Sequence, residues 1–343
     1  MNKNTKKAIQ YVLFFLLGAY LLYSVFTNPD INLKEVWKEI LNIEWIWVGV
    51  SLFVGFLAHI SRASRWKLLL DAAGFNPKLL NVYNAKMAGY FTNTAIPRAG
   101  EFVRCGLVKK SDNVPFTTAF GTATVERLVD MITLFSLIFI AFFSQYDLIN
   151  GFFDENIFTP IKEKATTKNL LIGAGILAVI IYMLSKSEKK IEKAVEDKGN
   201  GSLDDMIDDV FEGLKSITKL KKIPLFVFHS LFIWLGYFGI NYFIFLAFDL
   251  PQLATWQVGL GVLVVGSVSK MLPTQAHGAG TFHAFVSSFL VIYNIDINLA
   301  VAVATVIHGS QFLFYVIGGG ISYVWITFFT ANNFVEPEEP EIQ

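Results

Sequence analysis

Residues 94–105 read TAIPRAGEFVRC, and they interrupt an apolar stretch in a chain of which 54% is hydrophobic. Pro97 ends an incoming helix and Gly100 permits a sharp turn, so a second helix is expected to begin near Gly100. The free N–H groups and positive dipole end of this second helix would lie between Arg98 and Arg104. The stretch therefore predicts two half-helices with an anion site, for example for a lipid phosphate, at the break.

Glu101 falls in the first turn of that second half-helix, where a carboxylate either caps the helix or pairs with an arginine. A plainer interpretation keeps the whole stretch outside the membrane. It is then a cytoplasmic interfacial loop whose arginines contact lipid headgroups.

The composition predicts an all-α polytopic membrane protein. Mean hydropathy is +0.50, and only 16% of the residues are charged. The net charge of +0 offers no basic surface for nucleic acid, and no P-loop or zinc motif occurs. Cys105 is the only cysteine, which excludes a disulfide framework. We therefore expect neither a cofactor nor a metal site.

Apolar runs long enough to cross a membrane indicate six transmembrane helices. They cover roughly residues 8–27, 45–62, 116–143, 169–185, 224–249 and 298–329. The first lacks a small-residue cleavage site, so we interpret it as a retained helix. Two further apolar segments, 80–108 and 256–292, are interrupted by proline and glycine and are predicted to be re-entrant broken hairpins.

The lysines and arginines predict the orientation of the spans. Lys3, Lys6 and Lys7 place the N-terminus in the cytoplasm, and positive charges flank both ends of segment 80–108. That segment is therefore expected to enter and leave from the cytoplasmic side. The same rule makes 186–222 a cytoplasmic linker and puts the acidic tail 331–343 inside.

The chain repeats itself. AGEFVR at 99–104 aligns with AGTFHA at 279–284, and ATVER at 123–127 aligns with ATVIH at 304–308. We expect a single membrane domain over 1–343, with repeat halves 8–143 and 169–329 in opposite orientations. This is the inverted-topology plan of many transporters, in which broken segments meet near the midplane.

Three charged residues lie inside the third predicted span. Glu126 and Asp130 share a helix face at spacing i, i+4, with Arg127 beside them. Charges at this depth are costly, so they should face the interior and be paired. We expect them to line a translocation pathway or to pair with Arg98 or Arg104, with a purely structural ion-pair network as the alternative.

The second broken segment carries its own polar residues. They are Lys270, Pro273, His277, Gly280 and His283, joined by His308 on the last span. The histidines fit no standard metal-ligand spacing. We expect cavity-lining polar groups, with proton-linked behaviour as an alternative.

Arg62, Arg65 and Trp66 end the second span in the motif RASRW. The simplest interpretation is a positive-inside and aromatic anchor at the membrane interface. Binding of a lipid headgroup at the same level is the alternative.

The motifs RxxRW, PRAGExxR and ERxxD, in this order, resemble the flippase-like membrane family. This is the transmembrane domain of lysylphosphatidylglycerol synthase, also called the multiple peptide resistance factor. The resemblance covers about residues 8–330 and implies functional roles for Pro97, Gly100, Glu101, Arg104, Glu126, Arg127 and Asp130. In full-length relatives this region is thought to move aminoacylated phospholipid that a separate soluble domain makes. The chain ends at Gln343, so no synthase domain is expected.

The leading hypothesis is a lipid flippase or scramblase-like transporter, and not an enzyme, in the bacterial cytoplasmic membrane with both termini in the cytoplasm. Its substrate would be an anionic or aminoacylated phospholipid, or an isoprenoid-phosphate lipid. One alternative is an intramembrane lipid-headgroup transferase with Glu101 or Glu126 as general base. Another is a non-catalytic partner of a separately encoded lipid-modifying enzyme.

Overall fold

The computed structural model describes residues 20, 23–24, 27–96, 98–146, 216, 218–251, 253–271 and 278–330. Several predicted features lie wholly or mostly outside these residues. They are the spans 8–27 and 169–185, the linker 186–222, the tail 331–343, and Pro97, Pro273 and His277. The chain divides into two units, Met1–Ala141 with Val210–Gln343, and Phe142–Asp209. Apart from residues 142–146, the described residues belong to the first unit.

The described residues form helices and turns, with no strand among them. In chain order the helices are α1 (Leu33–Leu41), α2 (Trp45–Ala72), α3 (Leu79–Ala95), α4 (Gly100–Asp112), α5 (Phe116–Ser144), α6 (Ile223–Ala247), α7 (Trp256–Met271), α8 (Thr281–Val291) and α9 (Ile297–Phe328).

Four of these helices, α2, α5, α6 and α9, are long and apolar enough to cross a membrane. They confirm the predicted spans 45–62, 116–143, 224–249 and 298–329. The helix α2 continues ten residues past its predicted end, through the RASRW motif to Ala72. The charged residues of RASRW therefore lie within α2, where neighbouring helices can bury them, and not at its end.

The helices α3 and α4 form a hairpin, which we call the first hairpin (79–112). Its two ends are held together, since the Lys78 N–H and the Asn81 side-chain amide donate to the Asp112 carboxylate at 2.9 and 3.0 Å. Near the break, a Cβ at Gly89 would lie 2.7 Å from the Gly100 carbonyl oxygen. The predicted interruption of segment 80–108 is confirmed.

The break itself differs in detail from the prediction. Gly100 lies within the first turn of α4, where a Cβ would overlap the carbonyl group of Gly89. Arg98 is the residue with left-handed backbone, at φ 66°. Gly100 is thus required for close helix packing, while the chain reverses at Arg98.

The helices α7 and α8 form the second hairpin (256–291). The aromatic rings of Phe282 and Phe289 lie against Gly266 and Gly261, so α8 runs antiparallel to α7. Gly280, directly before α8, has φ 85° and needs the conformational freedom of glycine. The second predicted interruption likewise lies between two helices, with residues 272–277 outside the described residues.

The helices α2 and α6 pack closely and antiparallel. Ala58 touches Gly236, the Ser51 hydroxyl donates to the Ile240 carbonyl at 3.0 Å, and the Glu44 N–H donates to the Ala247 carbonyl at 2.9 Å. The order of elements also repeats, because α2 to α5 and α6 to α9 each comprise a long helix, a hairpin and a long helix.

Candidate functional site

The charged faces of α2 and α5 meet inside the protein. Arg62 and Arg65 each donate to the Asp130 carboxylate, with N–O distances of 2.6 Å. One turn further along α2, the Trp66 indole N–H donates to the Thr122 hydroxyl at 3.1 Å. Rising residue numbers in α2 therefore meet falling numbers in α5, so the two helices run antiparallel with RASRW against the ERxxD motif.

Glu126 is the centre of the buried charges, with a side chain that is 1% exposed. One carboxylate oxygen accepts from Lys86 Nζ at 2.5 Å and from Arg65 Nη2 at 3.3 Å. The other accepts from Arg104 Nη1 at 2.9 Å. A single carboxylate thus joins α2, α3 and α4 to α5, which agrees with the expectation that Glu126 faces the interior and is paired.

Glu101 extends this arrangement towards the surface. Its carboxylate accepts from Arg104 Nη2 at 2.5 Å and from Arg127 Nη2. Arg104 therefore lies between two carboxylates, those of Glu101 and Glu126. We call the connected set the charge cluster; its members are Arg62, Arg65, Lys86, Glu101, Arg104, Glu126, Arg127 and Asp130.

The charge cluster holds five cations and three carboxylates, an excess of two positive charges. Exposure rises from 0% at the Arg65 side chain to 48% at Arg127. Among the described residues, the buried Nε atoms of Arg62, Arg65 and Arg104 have no hydrogen-bond partner. Because buried cations need compensation, this excess and these spare donors are suited to an added anion.

The last two residues of RASRW, Arg65 and Trp66, do not fit the interface-anchor interpretation, because they lie inside the protein. Arg65 and Trp66 are both 0% exposed, so neither lies on a surface that a lipid interface could reach. Trp66 instead forms a wall of the charge cluster, with the Arg104 guanidinium 4.6 Å from its ring centroid. An aromatic ring against a guanidinium stabilises the cation where water is absent.

An aromatic group adjoins the charge cluster on the side of α6 and α9. Arg62 donates to the Tyr237 hydroxyl at 2.8 Å, and the His59 ring packs against Tyr90, Tyr237 and Tyr315 with centroid distances of 5.3, 6.2 and 5.4 Å. A cavity of about 10 Å³, lined partly by His59 and Tyr315, lies beside them. That volume suits about one water molecule.

The second hairpin places its polar residues in a different setting. Lys270 Nζ donates to Gln311 Oε1 at 2.8 Å and lies 4.8 Å from the Phe282 ring centroid. The rings of His283 and His308 are buried and 5.1 Å apart. Lys270, His283 and His308 thus lie at the contact of α7, α8 and α9, and their predicted role as cavity-lining groups stays a prediction.

Two differences from the predicted site stand out. Arg98 is exposed and makes no ion pair with any residue that the structure describes, so Arg104 does not share its site with Arg98. Sequence analysis also missed Lys86 as a partner of Glu126, and Tyr237 as a partner of Arg62. The signal for Lys86 was its position within an apolar segment; nothing in the sequence marked Tyr237.

Residues 9–319 match the family described as the lysylphosphatidylglycerol synthase TM region. The chain belongs to this family. The match contains the whole charge cluster and both hairpins. With four helices long enough to span a membrane, the chain is a multi-pass membrane protein of the lysylphosphatidylglycerol synthase TM family.

Several curated proteins of archaea are similar to this family member. A UPF0104 membrane protein of Methanocaldococcus jannaschii is 27% identical over 44% of this chain and 43% of its own length. Another, of Pyrococcus horikoshii, is 25% identical over 84% of this chain and 90% of its own. The glycosyltransferase AglD of Haloferax volcanii is 21% identical over 75% of this chain and 45% of its own. The chain thus spans less than half of the first and third relatives. No solved structure matches it.

Proposed function

We propose that this protein moves a phosphate-bearing lipid across the cytoplasmic membrane, as a flippase or scramblase-like transporter. The observation that carries the proposal is the charge cluster, which lies beside a broken hairpin and has an excess of two positive charges, with only Arg127 more than a quarter exposed. Such an excess is suited to a phosphate group in a site shielded from water. The substrate class is an anionic or aminoacylated phospholipid, or an isoprenoid phosphate.

Inverted topology is part of this proposal. The two halves repeat one order of elements, and their equivalent helices α2 and α6 run antiparallel. The ends of the first hairpin are joined at Asp112, beside the end of α2 and the start of α5. These contacts support a hairpin that enters and leaves from one side, which the lysines assign to the cytoplasm. Many transporters with inverted repeats have their binding sites at such breaks.

Transport by this fold requires a change of conformation. The cavity between α2, α6 and α9 admits about one water in the described state. We propose that the α2–α6 and α3–α9 contacts open to admit the headgroup. Both contacts use small residues, Gly236 against Ala58 and Gly319 against the Met87 carbonyl.

A leaflet assay tests the proposal. The protein is reconstituted in vesicles with fluorescent phosphatidylglycerol, phosphatidylethanolamine or a polyprenyl phosphate, and the fraction that dithionite cannot bleach is followed. The wild type should bring inner-leaflet lipid to the outside, and Arg62→Gln should slow this at least about tenfold, since it removes a cation next to the spare donors. Lys110→Gln, an exposed site on α4, is the matched control. Rates equal to those of protein-free vesicles with every lipid would overturn the proposal.

A second candidate is a non-catalytic partner of a separately encoded lipid-modifying enzyme. It is favoured by the similarity to the glycosyltransferase AglD, of which the match covers only 45%. A region similar to this chain thus occurs there within a longer chain. Crosslinking in native membranes tests it, because a partner should be recovered at a fixed ratio and lost with the partner's gene. The transferase alternative has less support, since both oxygens of Glu126 and Glu101 already accept from cations.

A further inference from the structure

The Glu101 carboxylate lies where the charge cluster meets the surface. Its side chain is 23% exposed, between Arg104 at 6% and Arg127 at 48%. One oxygen accepts from Arg104 and the other from Arg127. An anion held by two guanidinium groups through two of its oxygens is also how arginine pairs bind a phosphate. Glu101 thus has the position and the hydrogen bonds of a bound phosphate.

The other two carboxylates of the charge cluster, those of Glu126 and Asp130, accept hydrogen bonds from other cations. Glu126 accepts from Arg65, Lys86 and one nitrogen of Arg104, and Asp130 accepts from Arg62 and Arg65. Without Glu101, the described structure offers no other carboxylate to Arg127 or to Arg104 Nη2. The buried Arg104 Nε has no hydrogen-bond partner there even with Glu101 in place. Arg104 and Arg127 therefore form an anion site that Glu101 fills.

We infer that Glu101 is an internal competitor of the lipid phosphate at Arg104 and Arg127. The arriving phosphate displaces the Glu101 carboxylate, which turns towards solvent. This inference rests on the proposed function for the source of the phosphate. Displacement leaves five cations and two carboxylates, an excess of three positive charges. A phosphate monoester, with about two negative charges near neutral pH, compensates this excess better than a singly charged diester does. Zwitterionic headgroups compensate it least.

Direct binding to the purified full chain in detergent tests the inference by calorimetry. The probes are dioctanoyl phosphatidic acid, dioctanoyl phosphatidylglycerol, dioctanoyl glycerol and inorganic phosphate. Glu101→Gln should bind phosphatidic acid about tenfold tighter than the wild type, because the internal competitor has lost its charge. Adding Arg127→Gln should abolish most of that gain. Glu39→Gln, on α1, is the matched control for removal of one negative charge.

The sign of the effect separates competition from a structural role. A purely structural Glu101 predicts unchanged or weaker binding after Glu101→Gln, and either result would overturn the inference. Tighter binding of inorganic phosphate alone, without phosphatidic acid, would show a free-anion site and would also overturn it. Circular dichroism checks folding, and Glu101→Asp, which keeps the charge on a shorter side chain, should gain less affinity than Glu101→Gln. If the wild type transports lipid in the leaflet assay but Glu101→Gln binds phosphatidic acid no more tightly, only this inference is refuted. If Glu101→Gln binds phosphatidic acid more tightly but the wild type transports no lipid, only the proposed function is refuted.

Discussion

The two hairpins share one order of elements, but only the first is joined to its long helix by buried ion pairs among the described residues. Glu126 in α5 aligns with Ile307 in α9, and both are buried, at 1% and 0% exposure. Glu126 accepts from three cations, whereas Ile307 packs in a large apolar core with Phe282 and Val286 of α8. The first hairpin is therefore attached to its long helix by buried ion pairs in addition to apolar contacts, whereas the second is attached mainly by apolar contacts.

The same contrast recurs at the start of the second helix of each hairpin. Glu101 in α4 aligns with Thr281 in α8. Glu101 pairs with two arginines at the edge of the protein, while the fully buried Thr281 hydroxyl donates to the Gly278 carbonyl at 2.9 Å. An anion can compete for the first set of contacts but not for the second. The comparison supports the proposal that the anion binds at the first hairpin rather than at the second.

Glu126→Gln should have the largest effect on stability of the changes that test this comparison. It leaves three cations without a charged acceptor at the centre of the charge cluster, which lowers the free energy of unfolding by about 3–5 kcal/mol. At the aligned position, Ile307→Val removes one methylene and should cost about 0.5–1.5 kcal/mol. Chemical unfolding in detergent, followed by circular dichroism, gives both values.

A second substitution, at Lys86, tests whether the cost of Glu126→Gln comes from uncompensated charge. Lys86 donates to Glu126 at 2.5 Å and is itself buried. Lys86→Met added to Glu126→Gln removes one of the uncompensated cations, so the double variant should regain at least about 1 kcal/mol. Equal costs at positions 126 and 307, with no recovery in the double variant, would refute the electrostatic account of the first hairpin.

The residues of the charge cluster that belong to short sequence motifs could be predicted from the sequence. Glu126 and Asp130 were placed on one face and in the interior because charges inside an apolar span must be paired. Arg65 is different, because the predicted span ends at residue 62 and the positive-inside rule then places Arg65 at the membrane interface. Local pattern cannot show that α2 continues to Ala72 and turns this arginine towards Asp130.

Contacts between helices that are far apart in the sequence could not be predicted either, because they depend on how the helices pack. Tyr237 meets Arg62 only because α6 packs antiparallel on α2, with Gly236 against Ala58. An apolar helix gives no sign in its sequence of which tyrosine will face a charge. The two breaks were predictable, since glycine and proline act on the local backbone.

Replacing a glycine at the break of each hairpin by alanine should lower stability by an intermediate amount, for a different steric reason in each hairpin. Gly100→Ala inserts a Cβ into the Gly89 carbonyl, so it should cost about 1–3 kcal/mol and loosen the first hairpin. Gly280→Ala in the second hairpin meets a left-handed backbone, φ 85°, and should cost about 1–2 kcal/mol. Thermal unfolding compares the two.

Gly106 supplies the control for those substitutions. It lies on α4, and a Cβ there would meet nothing within 4 Å. Gly106→Ala should therefore stabilise the protein by about 0.5–1 kcal/mol through helix propensity. If Gly100→Ala behaved in the same way, α3 and α4 would not be in the close contact that the first hairpin requires.

Arg98→Gln should have the smallest effect on stability. It tests whether the proposed anion site includes Arg98 at the break of the first hairpin. Arg98 is exposed and has no ion-pair partner among the described residues, so the free energy of unfolding should change by less than about 0.5 kcal/mol. An exposed cation beside the Glu101 site attracts anions over a distance that salt shortens. Translocation of an anionic lipid by Arg98→Gln should therefore be slower than wild type at low ionic strength and equal to it at high salt. A deficit that persists at high salt would instead mean direct contact with the phosphate, and would extend the site from Arg104 and Arg127 to the break itself.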